Sequence, residues 1–103
     1  MGSKLVRDRI PEVMWAAGLR PRFRVLAEDE RLTWLLEKIR EEAEELATQP
    51  SLEECADVLE VLLAIAQELG HTRDQVHLAA EKKVELRGAF HKGILLQAGG
   101  REE

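Results

Sequence analysis

Two apolar-striped stretches, residues 29–47 and 52–69, meet at Gln49-Pro50-Ser51. This short break constrains the fold more than any other feature of the chain. Leu32, Leu35, Leu36, Ile39, Ala43 and Leu46 recur at three and four residues, which predicts a helix with one apolar stripe. The second stretch is apolar over more than half its circumference, so it is expected to be the central, most buried helix. A connection of about four residues makes the two helices an antiparallel hairpin.

The hairpin is also the acidic centre of the chain. "EEAEELATQPSLEECAD", from Glu41 to Asp57, holds seven carboxylates in seventeen residues. Glu42 and Glu45 are three residues apart on neighbouring turns of one face, and so are Glu54 and Asp57. Glu45 and Glu54 lie equally far from the turn, as do Glu42 and Asp57. An antiparallel hairpin therefore sets Glu45 level with Glu54 and Glu42 level with Asp57. At about 100° per residue, Glu42 borders the apolar stripe of its helix and Glu45 is the next position out. Glu54 falls inside the apolar arc of the following helix, and Asp57 lies just beyond its edge.

Four carboxylates gathered in a partly dry site repel one another unless protons, basic side chains or cations intervene. Lys38 and Arg40, the nearest bases in sequence, are too few for four charges. Hard divalent cations suit all-oxygen sites, which makes Mg²⁺, or Mn²⁺, the expected partner. A plainer reading uses the same residues. Ser51 and Glu54 have capping-box spacing, acidic residues are favoured at a helix start, and Glu41 with Glu45 can form a solvated face.

Around the hairpin the chain reads as one domain of 103 residues. A first short helix is expected in "IPEVMWAAG", with Pro11 in its first turn and Gly18 at its end. A fourth runs from Thr72 to about Leu86, with Thr72 and Gln75 spaced as a capping box. "RFRVL" and "AFHKGILL" have strand-like patterns and are expected to pair as a minor ribbon. Residues 97–103 read as a loose tail. Cys55, the single cysteine, excludes an intrachain disulfide and fits a cytoplasmic setting. It is expected to be a small core residue, and Trp15 and Trp34 are expected in the core as well. No apolar run is long enough for a bilayer, so no membrane partner is expected.

Net charge is −5, unevenly spread. Residues 1–24 carry six basic and two acidic side chains, residues 28–68 three and thirteen, and residues 73–92 five and three. An acidic centre with basic arms can bind phosphates given divalent metal ions between, and no nucleic-acid polymer is expected as a partner. There is no Gly-rich phosphate loop, no Glu-x-x-His motif and no triad among the scattered His71, His77 and His91.

"EEAEEL" followed by "EECADVLEVL" resembles the all-α nucleotide pyrophosphohydrolases of the MazG-like superfamily, which includes phosphoribosyl-ATP pyrophosphohydrolase. "KLVRDRIPEV" and "KKVELRGAFHKGILL" are similar to a small single-domain branch of that superfamily, so the resemblance spans Lys4 to about Leu96. Eight residues separate Glu45 from Glu54, fewer than in many members.

The resemblance implies that Glu42, Glu45, Glu54 and Asp57 are Mg²⁺ ligands. It also implies that a nucleoside triphosphate is hydrolysed to monophosphate and pyrophosphate. Glu41 or Glu45 is the expected general base, and Arg7, Arg9, Lys83 and Arg87 are the candidates for phosphate binding. The basic four can equally be solvated surface charges. The expected fold is all-α: a small helical bundle on an antiparallel hairpin, with the minor two-stranded ribbon. A homo-oligomer is expected, most simply a dimer, because so wide an apolar helix exceeds what two short neighbours cover. A non-catalytic module binding nucleotide or protein on the same scaffold is the alternative. Action on phosphoribosyl-ATP is a third.

Overall fold

A computed structural model describes residues 2–99. Four α-helices follow one another: α1 (Ile10–Ala16), α2 (Arg31–Thr48), α3 (Leu52–Glu68) and α4 (Arg73–Arg87), with a single 3-10 turn at Glu28–Glu30 leading into α2. Each boundary has a local cause. Pro11 occupies the first turn of α1. Glu30 accepts the Ala27 N–H at 2.9 Å and grips Arg24 through both carboxylate oxygens, at 3.0 and 2.9 Å. These bonds fold the preceding segment back onto the start of α2. At the end of α3, Gly70 takes φ +89°, and the His71 N–H donates to Ala66 O at 2.8 Å. Glycine reaches that left-handed conformation without the cost a Cβ imposes.

Helices α2 and α3 pack antiparallel, and Arg31 at the start of α2 lies 3.8 Å from Glu68 at the end of α3. The buried apolar residues are Leu63, Ile65 and Ala66, all on α3, which is the central helix the sequence indicated. The covered face of α2 keeps Leu32, Leu35, Ile39 and Leu46 of the expected stripe and extends toward Trp34, Lys38 and Glu42. Trp34, Leu35, Lys38, Ile39, Glu41, Glu42 and Leu46 are half-buried or buried, whereas Leu36 and Ala43 are exposed. Only one flank of α2 meets α3, so the other edge of its wide stripe has nothing over it.

The β ribbon does not form: there is no strand among the described residues. Two short strands need a third partner or a packed face, and here neither exists. Arg24 is held by Glu30, and Phe90, Ile94 and Leu95 are 96%, 82% and 84% exposed. Cys55 and Trp15 are exposed rather than in the core, and Trp34 is half-buried. Part of the expected tail, residues 100–103, lies outside the described residues.

The radius of gyration is 17.8 Å, against about 13 Å for a compact chain of roughly this length. Helix α4 is exposed along its length except for the half-buried Val76. No described helix is long and apolar enough to cross a membrane.

Candidate metal centre

Glu42 is 7% exposed and is the single buried charged residue among those described. The sequence places it there, at the margin of an apolar stripe that turns inward. Lys38, one turn earlier, sets its Nζ 3.3 Å from Glu42 Oε1 and 3.4 Å from Glu41 Oε1. The second oxygen, Glu42 Oε2, is buried with no hydrogen-bond partner. An unsatisfied buried carboxylate oxygen is costly, on the order of 1–3 kcal/mol or more, and calls for a cation or donor.

The hairpin brings two further carboxylates to it. Glu42, Glu54 and Asp57 each offer one oxygen, and these oxygens lie within 4.8 Å of one another. Glu45 stands beside the group. The adjoining Glu42 carboxylate raises its pKa, with the charges of Glu54 and Glu41 adding to it. Partial desolvation raises the pKa of Glu54, with the charges of Asp57 and Glu42 adding to it. The level pairs of the hairpin thus appear as a tight trio with Glu45 on its open side.

The orientation of Glu54 separates the two readings of its sequence. Ser51 caps α3, its Oγ accepting the Glu54 N–H at 3.1 Å. The reciprocal bond, from Ser51 N–H to the Glu54 carboxylate, is not made. Glu54 therefore starts its helix through its backbone and gives its carboxylate to the acidic group.

The expected phosphate-binding residues separate in space. Arg7 reaches the site and donates to Asp57 Oδ1 at 2.6 Å. Arg9 turns away to Glu12, at 3.3 Å from each carboxylate oxygen. Lys83 and Arg87 are exposed on α4, and neither pairs with these carboxylates among the described residues. Two bases in contact with the site were not among the candidates: Lys38, and Lys4, whose Nζ is 3.9 Å from Glu41 Oε1. Lys38 had a readable signal, since it stands three residues before Glu41 and four before Glu42. Lys4 had none, because its approach depends on the tertiary path of the N-terminal segment.

At the mouth of the hairpin an open groove of about 500 Å³ runs beside the carboxylates, lined by Glu44, Glu45, Thr48, Gln49, Ser51 and Glu54. A trio of converging oxygens with one orphaned buried oxygen fits a hard divalent cation such as Mg²⁺ or Mn²⁺. No family model, curated protein or solved structure matches the chain.

Proposed function

We propose that this chain is a Mg²⁺-dependent nucleotide pyrophosphohydrolase of the MazG-like kind, converting a nucleoside triphosphate to the monophosphate and pyrophosphate. The observation that carries the reading is Glu42, whose Oε2 is buried and unpartnered and which offers one oxygen within 4.8 Å of one each from Glu54 and Asp57. The motif resemblance supplies the reaction class. Glu42, Glu54 and Asp57 would hold Mg²⁺ (or Mn²⁺), with Glu45 completing the set. The metal supplies neutralisation of phosphate charge and a lowered pKa for a bound water.

The protein's own groups do the rest. The carboxylates would position the α-phosphate at the hairpin mouth only through the cation they hold. Glu45 accepts the proton from water as the water oxygen bonds to the α-phosphorus and the bond to the bridging oxygen breaks. Between the two candidate bases, Glu45 is favoured because Glu41 is engaged by Lys38 and Lys4. Arg7 is the one of the four phosphate-binding candidates that reaches these carboxylates, through Asp57 Oδ1 at 2.6 Å. Arg9, Lys83 and Arg87 meet the outer phosphates only after local movement or from a second copy.

A homo-oligomer, with a dimer as its simplest form, belongs to the same proposal. Leu52, Cys55, Leu59 and Leu62 form an exposed stripe on a flank of α3 that α2 leaves uncovered, and Leu36 and Ala43 form its counterpart on α2. Two such hairpins facing each other make a four-helix core. The exposed stripe also favours one other reading, a helical module that docks on a protein. A cytoplasmic setting is proposed from the single cysteine.

The test is pyrophosphate release from a panel of standard and damaged nucleotides, with phosphoribosyl-ATP included, in the presence of Mg²⁺. Release from at least one member is expected, with loss in Glu42→Gln combined with Asp57→Asn. Silence across the panel favours the docking module. Activity that survives the double substitution sinks the carboxylate mechanism. Light scattering on the same sample is expected to give a multiple of the 11.7 kDa chain mass.

A further inference from the structure

Residues 2–7 precede the first turn without regular structure, and none of residues 2–6 makes a backbone hydrogen bond among the described residues. What ties this segment to the hairpin is side chains. Leu5 is half-buried, Lys4 reaches Glu41 on α2 at 3.9 Å, and Arg7 reaches Asp57 on α3 at 2.6 Å. The segment therefore lies beside the carboxylate group with one cation on each helix. Both bases are well exposed, at 68% and 57% of the side chain. Exposed ion pairs are weak and screened by salt, so these contacts exchange cheaply.

Charge counting gives the segment a role. Five carboxylates, Glu41, Glu42, Glu45, Glu54 and Asp57, surround the site, and Lys4, Arg7 and Lys38 are the bases that touch them. Lys38 is rooted in α2 and 15% exposed. Lys4 and Arg7 sit on a segment that can lift. Asp57 carries a single charge, which Arg7 holds through Oδ1 at 2.6 Å, and a cation shared with Glu42 and Glu54 would draw on that same carboxylate. A divalent ion entering the trio thus competes with the Arg7 guanidinium, and it brings polyphosphate oxygens that are new partners for that same guanidinium.

We propose that Lys4–Arg7 is a cationic strap that changes partner. It holds Glu41 and Asp57 while no divalent cation is bound, and it binds the polyphosphate once one is. This rests on the metal reading given above. It assigns Lys4 a phosphate contact and makes Arg7 both a competitor of the metal and a ligand of the substrate. Planar, five-donor arginine suits such an exchange, since carboxylate and phosphate are both bidentate partners for it.

The two halves predict opposite signs for one substitution. In Mn²⁺ titrations by calorimetry, Arg7→Gln should bind Mn²⁺ about two- to fivefold more tightly than the wild type, as expected for loss of an exposed competing pair. With Mn²⁺ saturating, the same variant should bind inorganic pyrophosphate more weakly, by about tenfold, as for the loss of a charge-assisted contact. Arg20→Gln removes the same charge from a residue stacked on Trp15, at 4.1 Å from the ring centroid, and should change neither affinity. Lys4→Gln should repeat the Arg7 pattern at smaller amplitude.

Helical content by circular dichroism checks that each variant is folded. Unchanged or weaker Mn²⁺ binding in Arg7→Gln overturns the strap, as does absence of Mn²⁺ binding in the wild type. A match between Arg20→Gln and Arg7→Gln overturns it too, because only net charge would then matter. Crossed signs without hydrolysis of any nucleotide leave the strap standing and remove the pyrophosphohydrolase. Hydrolysis without crossed signs does the reverse.

Discussion

Helices α3 and α4 begin with sequences that make the same promise. Ser51-Leu52-Glu53-Glu54 and Thr72-Arg73-Asp74-Gln75 both carry a hydroxyl at the cap and a Glu or Gln three residues on. At α4 the box closes, Thr72 N–H to Gln75 Oε1 at 2.8 Å and Gln75 N–H to Thr72 Oγ1 at 3.1 Å. At α3 only the hydroxyl half is made, at 3.1 Å, and the Glu54 carboxylate joins Glu42 and Asp57. α4 starts at an exposed surface with no other demand on its side chains. α3 starts opposite a buried glutamate with one unpartnered oxygen. The open box thus marks the place where local stability gives way to a gathering of like charge, which folding alone does not favour.

The largest expected effect comes from breaking that difference at Glu54. Glu54→Gln should lower Mg²⁺-dependent pyrophosphate release at least about 100-fold, in line with the loss of a metal-site partner. Gln75→Glu, the reciprocal exchange at α4, should leave turnover within about twofold and keep a working box. Next is Glu42→Leu. It removes the orphaned buried oxygen, so it should abolish activity and yet stabilise the metal-free protein. About 1 kcal/mol is expected from urea unfolding, because the unsatisfied Oε2 is gone while Lys38 keeps Glu41 as its partner at 3.4 Å. A fall of several kcal/mol instead would mean that the Lys38 pair is structural.

A smaller contrast separates the two boxes by stability alone. Thr72→Ala should cost about 1 kcal/mol, the usual value of an N-cap. Glu54→Gln should raise the melting temperature of the metal-free protein, since it relieves repulsion and supplies a side chain able to close the box.

The smallest effect is in pH. Glu45 and Glu54 have folded-state pKa values above those of free carboxyls, Glu45 through the adjoining Glu42 carboxylate and Glu54 through desolvation. The folded state therefore holds their protons more tightly than the unfolded state. The metal-free protein should gain stability as pH falls from 7 into the carboxylate range, and Mg²⁺ should remove that gain. Glu30 acts in the opposite sense. Its hydrogen bonds to Arg24 pull its pKa down to about 2. The stabilisation it gives is complete above the ordinary carboxylate pKa and is lost as pH falls toward 2. Thermal melts from pH 7 to pH 3 should pass through a maximum.

Much of the hairpin was legible in sequence, because period and break are local properties. Leu32 to Leu46 repeat as a helix does, Pro50 and Gly70 mark ends, and the width of the apolar arc of α3 announced its central place. Three features were not legible, each for a tertiary reason. Arg22 to Val25 alternate like a strand, yet a ribbon needs a partner and a covering face, and neither is present. Cys55 lies in the apolar arc of α3, but α2 covers only one flank of that arc. Lys4 and Arg7 stand far in sequence from Glu41 and Asp57, and only the path of the N-terminal segment joins them. The carboxylate trio lay between these cases. Spacing selected Glu42, Glu54 and Asp57 together with Glu45, while only the side-chain direction of Glu54 chose between cap and site.

The central claim is that the Glu54 carboxylate serves a cation rather than its helix. Mn²⁺ titration of wild type against Glu54→Gln, followed by calorimetry at fixed ionic strength, tests it most directly. The wild type should bind and the variant should bind at least about tenfold more weakly with helical content intact. Equal affinity in the two proteins, or no binding to either, would contradict the claim.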